Sequence, residues 1–66
     1  MKYETNIQLY NDDSCKVIST PTPLVKGDQI RIWDPRRLKV IPVEITSEVE
    51  YNIPIAVSNL VTIKRI

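Results

Sequence analysis

Few side chains in this chain of 66 residues could do chemistry. They are a lone thiol, Cys15; two groups of carboxylates, Asp12 with Asp13 and Glu44 with Glu48 and Glu50; and the cations Arg31, Arg36, Arg37 and Lys39 around the single tryptophan, Trp33. There is no histidine. That removes nucleophile–histidine arrangements, mixed Cys/His zinc sets and the commonest general base near neutral pH. The one glycine, Gly27, is too few for a phosphate-cradling loop or a dinucleotide fingerprint, both of which need several positions free of a side chain.

The carboxylates fare little better. Acid/base work needs one member of a pair pushed to a raised pKa by burial, and these groups fall in an expected turn or on an expected wet face. Asp12, Asp13 and Ser14 lack the alternating acidic spacing and closing glutamate of a calcium loop. Cys15 would be a nucleophile only beside a cation or a helix end; Lys16, its sequence neighbour, points to the opposite face of a strand, so Cys15 is expected to be a small buried hydrophobe. No catalytic residue, cofactor or metal is expected, and the chain is not read as an enzyme.

Charge placement points instead to binding. Residues 31–39 carry four cations against one anion, Asp34, and residues 44–50 carry three glutamates and no cation. Exposed tryptophan and arginine dominate interface energies, which makes Trp33, Arg31, Arg36, Arg37 and Lys39 the expected contact residues, with Tyr10 and Tyr51 in second rank. Another protein is the expected partner. The same basic, aromatic face could instead take nucleic acid, phosphates on the arginines and a base on the indole. A sequence pI of about 7.9 is well below the strongly basic footprint of such modules. The plainest reading is that Arg36 and Arg37 keep a turn soluble while Trp33 caps one end of the fold.

The elements that must position these residues are strands. Ten isoleucines, seven valines and five threonines make one third of the chain β-branched, against one alanine, a composition suited to pleated sheets and poor for helices. Residues 2–10 alternate strictly, with Tyr3, Thr5, Ile7 and Leu9 on the inner side and Tyr10 among the outer residues. Residues 11–14 are turn chemistry. Residues 15–20 form a short strand ended by Pro21 and Pro23, and Lys26-Gly27-Asp28 a tight turn. Residues 29–33 then turn Ile30 and Ile32 inward and Arg31 and Trp33 outward, before a turn at 34–37. A strand over 38–46 is expected to be an edge or to bulge near Pro42, with Ile41, Val43 and Ile45 inward. Val49, Tyr51, Ile53, Ile55 and Val57 continue the inward alternation, Ser58-Asn59 breaks the chain or forms one 3₁₀ turn, and residues 60–66 close the sheet. Without a crossover helix, the pairings are expected to be antiparallel.

Two segments resemble the SH3 fold. Residues 26–33, Lys-Gly-Asp-Gln-Ile-Arg-Ile-Trp, are similar to the stretch in which a lysine-glycine-aspartate turn opens the second strand of SH3 domains. Val57-Ser58-Asn59-Leu60-Val61 resembles the segment that forms their 3₁₀ turn and last strand. The resemblance spans residues 24–66 and implies a small SH3-like barrel. It does not carry over polyproline binding: the alanine-leucine-tyrosine-aspartate-tyrosine signature and the tandem tryptophan are missing, and Val57 and Leu60 stand where the family's proline and tyrosine would be.

The expectation is therefore one domain over residues 1–66: an all-β, five- to six-stranded antiparallel SH3-like barrel acting as an accessory or regulatory subunit that binds another protein. Nucleic-acid binding is the first alternative and a structural subunit of a phage or mobile-element assembly the second. A domain this small buries only about 60% of its unfolded surface, and without disulfide or metal it is expected to self-associate. No secretory leader or membrane span is read in the sequence, so a cytoplasmic location is expected.

Overall fold

The computed structural model of the chain describes residues 2–10 and 15–66. Met1 and residues 11–14, with the expected turn and Asp12, Asp13 and Ser14, lie outside the described residues. The described residues are all-β. In chain order the strands are β1 (Tyr3–Gln8), β2 (Cys15–Thr20), β3 (Gln29–Asp34), β4 (Lys39–Ile45), β5 (Tyr51–Asn52) and β6 (Val57–Arg65). No helix among them is long and apolar enough to cross a membrane.

The sheet runs β2-β1-β6-β4-β3, with the two-residue β5 also on β6. It is mixed rather than purely antiparallel, because β1 and β6 pair parallel. Parallel strands need a long crossover, and here the strands between β1 and β6 supply it in place of a helix. Nor does the sheet close: β2 and β3 end the strand order without pairing to each other. The result is a curled half-barrel.

Period-two alternation builds the core. Thr5 and Ile7 of β1, Ile32 of β3, Ile41, Val43 and Ile45 of β4 and Val61 of β6 are buried, joined by Leu9 and Leu24. The Gly27 turn sets the phase of β3. Its φ of 96° is in the region that glycine enters without steric cost, and its N–H donates to Ile45 O at 2.8 Å. Leu38, with φ 54°, ends the following turn, so β4 starts at Lys39.

Pro42 neither interrupts β4 nor places it at an edge. Its carbonyl accepts the Ile66 N–H at 3.2 Å, so its missing N–H lies on the β6 side, where register pairing begins only at Val43. Likewise, Ser58 and Asn59 do not break the last strand. Glu4 pairs with Val57 and Asn6 with Leu60, an extra residue on β6 that is absorbed as a bulge. Ser58 Oγ fills that irregularity by accepting Asn6 N–H at 2.8 Å, and Asn59 Oδ1 accepts Glu50 N–H at 3.0 Å.

The largest departure from the expected alternation is after Tyr51. Ile53 and Ile55 are each 66% exposed, because a turn closed by Ala56 N–H to Asn52 O at 2.6 Å replaces the expected strand, with Ala56 in the left-handed region at φ 55°. Tyr51 itself is half-buried and works internally: its hydroxyl lies 2.6 Å from Thr5 Oγ1 and accepts Leu24 N–H at 3.0 Å. Removing that oxygen leaves the fully buried Thr5 hydroxyl without its partner. Tyr51→Phe is therefore expected to lower unfolding stability by about 1–3 kcal/mol, measured by urea denaturation, and an unchanged midpoint would contradict this role.

Candidate protein-binding face

On β3 the inward residues are Ile30, Ile32 and Asp34, which leaves Arg31 and Trp33 on the outer face. Register gives each an outward neighbour on β4: Arg31 stands opposite Pro42 and Trp33 opposite Val40. Both are pairs without mutual main-chain hydrogen bonds, in which side chains approach most closely. Ile66, bonded to Pro42, extends the Arg31–Pro42 row toward β6. Trp33 is 44% exposed, and Val40 and Ile66 more than half exposed. The outer face of β3 and β4 is thus an apolar strip with a guanidinium at its centre. On its other side Trp33 borders a groove of about 320 Å³ with Pro35, Leu9, Cys15 and Lys16.

Cys15 is exposed, not the buried hydrophobe expected, because β2 is an edge strand whose Cys15, Val17 and Ser19 point outward. Among the described residues no three His, Cys, Asp or Glu side chains gather closely enough to hold a metal ion.

The turn after β3 is fixed by a residue that the sequence reading treated only as an anion. Asp34 is fully buried. The Tyr10 hydroxyl is 2.5 and 2.6 Å from its two carboxylate oxygens, and Oδ1 also accepts the N–H groups of Arg36 at 2.9 Å and Arg37 at 3.3 Å. Arg37 Nε and Arg65 Nη2 each lie 3.8 Å from Oδ2. The Arg36 guanidinium sits 3.9 Å from the Tyr10 ring centroid and that of Arg65 4.9 Å. Tyr10 therefore does not stand on the wet face: β1 ends at Gln8, and the residue packs against the core. The cluster ties the ends of β1, β3 and β6 together and holds the arginine-bearing turn beside Trp33. Arg36, Arg37 and Lys39 are exposed at that end. Tyr51 belongs to a separate group with Tyr3, Thr5 and Leu24.

Burial works against the Asp34 charge, but the Tyr10 hydroxyl, the Arg36 and Arg37 N–H groups and the Arg65 guanidinium outweigh it and hold the carboxyl below its ordinary range. A carboxyl whose pKa is depressed by folding stabilises the fold above the unfolded-state value, about 3.9, and loses that contribution as pH falls through the folded-state value. Asp34→Asn is thus expected to be less stable than the parent at pH 7, with the difference shrinking below about pH 4. Urea denaturation of both proteins at pH 7 and pH 3 reads this, because the other carboxyls titrate alike in each. A gap that stays constant would contradict it.

Val40, Pro42, Ile66, Asp34 and Arg65 were missed by the sequence reading, yet part of the signal was there. Outward Val40 and Pro42 follow from inward Ile41 and Val43, and an inward Asp34 continues Ile30 and Ile32. Comparison with known protein families, with curated proteins and with solved structures finds no match.

Proposed function

We propose that the chain is a non-catalytic interaction module, an accessory or regulatory subunit that binds another protein through the outer face of β3 and β4. One observation carries this reading: Trp33 and Val40 form an uncovered cross-strand apolar pair beside Arg31, in a turn-bounded setting fixed from beneath by Asp34. Tryptophan and arginine at the centre of an apolar strip are the residue types that anchor interfaces. We read the frame as SH3-like without its polyproline site: the Gly27 turn opens β3 much as the resembling turn opens a strand of that fold, while Ser58–Asn59 runs within β6 instead of forming a 3₁₀ turn.

Nucleic acid is the second reading, favoured by Arg36, Arg37, Lys39 and Arg65 gathering at one end, with Arg31 farther along the outer face of β3. It has less support, since Arg37 and Arg65 already face a buried carboxylate. Affinity purification from the cell of origin separates the two. A protein partner recovered with the parent and lost with Trp33→Ala supports the first reading, and its retention would remove this face from the claim. Phosphate binding would show instead as oligonucleotide affinity falling at least about tenfold between 50 and 200 mM salt.

A further inference from the structure

The main chain of β3 adds a second element to that face. In an antiparallel ladder, pairs that exchange both main-chain hydrogen bonds alternate with pairs that exchange none. Ile45 N–H donates to Asp28 O at 2.9 Å, and Gln29 stands opposite Glu44. The exchanging pairs are therefore Ile30–Val43, Ile32–Ile41 and Asp34–Lys39. Gln29, Arg31 and Trp33 turn their N–H and C=O groups away from β4. Pro42, opposite Arg31, confirms the phase by sending its carbonyl toward β6. As β3 is the last strand in the sheet order, these groups lie along an edge that no described strand covers. The same three residues carry the outward side chains.

We propose that this edge takes up an extended segment of the partner protein as an added strand, one with an apolar and an acidic residue two positions apart on one face. The inference rests on the protein-binding reading above and specifies its mode. The apolar residue would lie against Trp33 and the acidic one against Arg31, with Arg36, Arg37 and Lys39 close by to favour negative charge. A second copy of this chain fits less well: antiparallel self-pairing that uses all three residues sets Arg31 against the copy's own Arg31, and like charges directly opposite are destabilising. The other edge, β2, presents Cys15, Val17 and Ser19 on its exposed face, and its one cation, Lys16, lies on the opposite face. Added strands gain affinity from main-chain bonds and specificity from alternate side chains, and both are present on β3. Gly27 before the strand and Pro35 after it limit the addition to about six residues, some 20 Å.

The probe is a capped octapeptide of threonines with one valine and one glutamate two positions apart, titrated into the ¹⁵N-labelled chain with amide hydrogen exchange as the readout. The Gln29, Arg31 and Trp33 amides are expected to gain about tenfold protection or more on saturation. The lysine-for-glutamate peptide is expected to bind at least fivefold more weakly, and a peptide N-methylated at alternate residues not to bind. Arg31→Gln keeps the N–H and should weaken binding several-fold while preserving edge protection. Relative to Arg31→Gln, which already lacks the guanidinium, Arg31→Pro further removes an N–H that points away from β4, at a position where edge strands accept proline, and should abolish the binding that Arg31→Gln retains. No binding at millimolar peptide, protection on β2 instead, protection that rises with protein concentration alone, or equal binding by the N-methylated peptide would each overturn strand addition. If Arg31→Pro binds as well as Arg31→Gln while Trp33→Ala does not bind, the face stands and the strand mode falls. If the purified partner is retained by Trp33→Ala, the face itself fails.

Discussion

Ile45→Ala is expected to lower the unfolding free energy by about 2–5 kcal/mol, and Ile45→Val by about 0.5–1.5 kcal/mol. Ile45 is fully buried in the core among Ile7, Val43 and Val61, its N–H bonds Asp28 O and its carbonyl accepts Gly27 N–H. Truncation leaves a void at the point where the Gly27 turn meets β4, and those main-chain bonds limit how far β4 can move to fill it. The total stability of a 66-residue domain is about 3–10 kcal/mol at about 0.05–0.15 kcal/mol per residue, so the alanine variant forfeits a large share of it. Ile55→Ala is the control: that side chain is two-thirds exposed, and its loss is expected to change stability by less than about 0.5 kcal/mol. Chemical denaturation of the three variants decides the matter. Equal effects at positions 45 and 55 would contradict this core.

The second large effect concerns binding rather than folding. A tryptophan presents about 250 Å², so the 44% exposure of Trp33 leaves about 110 Å² to be covered by a partner. At about 25 cal/mol per Å² that is worth about 2.8 kcal/mol, in the range of an interface anchor. Trp33→Ala is therefore expected to weaken partner binding by about 100-fold, since each 1.4 kcal/mol is about a factor of ten. Folding stability should change far less, because the indole lies on the outer side of β3. Titration calorimetry and denaturation on the same variant separate the two effects, and a loss of folding stability as large as the loss of binding would relocate Trp33 to a structural role.

The contrast between Ile45 and Ile55 also shows what could be read from the sequence. Where alternation was tied to a clear turn, direction was legible: Gly27 fixed Ile30 and Ile32 inward and Arg31 and Trp33 outward, and residues 15–20 were bounded as found. Alternation alone cannot say where a strand stops. The run Val49, Tyr51, Ile53, Ile55 and Val57 keeps its period through a turn, because period two describes side-chain direction only while the chain stays extended. Parallel pairing of β1 with β6 depends on contacts between residues far apart in sequence, which no local pattern encodes. The same holds for the Tyr10–Asp34–Arg65 cluster, whose members come from three strand ends, although the strict continuation of Ile30 and Ile32 already pointed Asp34 inward. The binding face was legible through its charges and its tryptophan, and its apolar half was not, because Val40, Pro42 and Ile66 are ordinary residues until register places them side by side.

Trp33 is the only tryptophan in the chain, so its fluorescence reports on this face alone if the partner's own tryptophans are replaced or silent. The most direct measurement is acrylamide quenching of that emission in the free protein and in the complex recovered by affinity purification. Burial of the indole against a partner predicts a shift of emission to shorter wavelength and a quenching constant reduced at least about twofold, in line with loss of most of its exposed surface. A complex in which the emission and the quenching of Trp33 match those of the free chain would contradict the claim that β3 and β4 form the binding face.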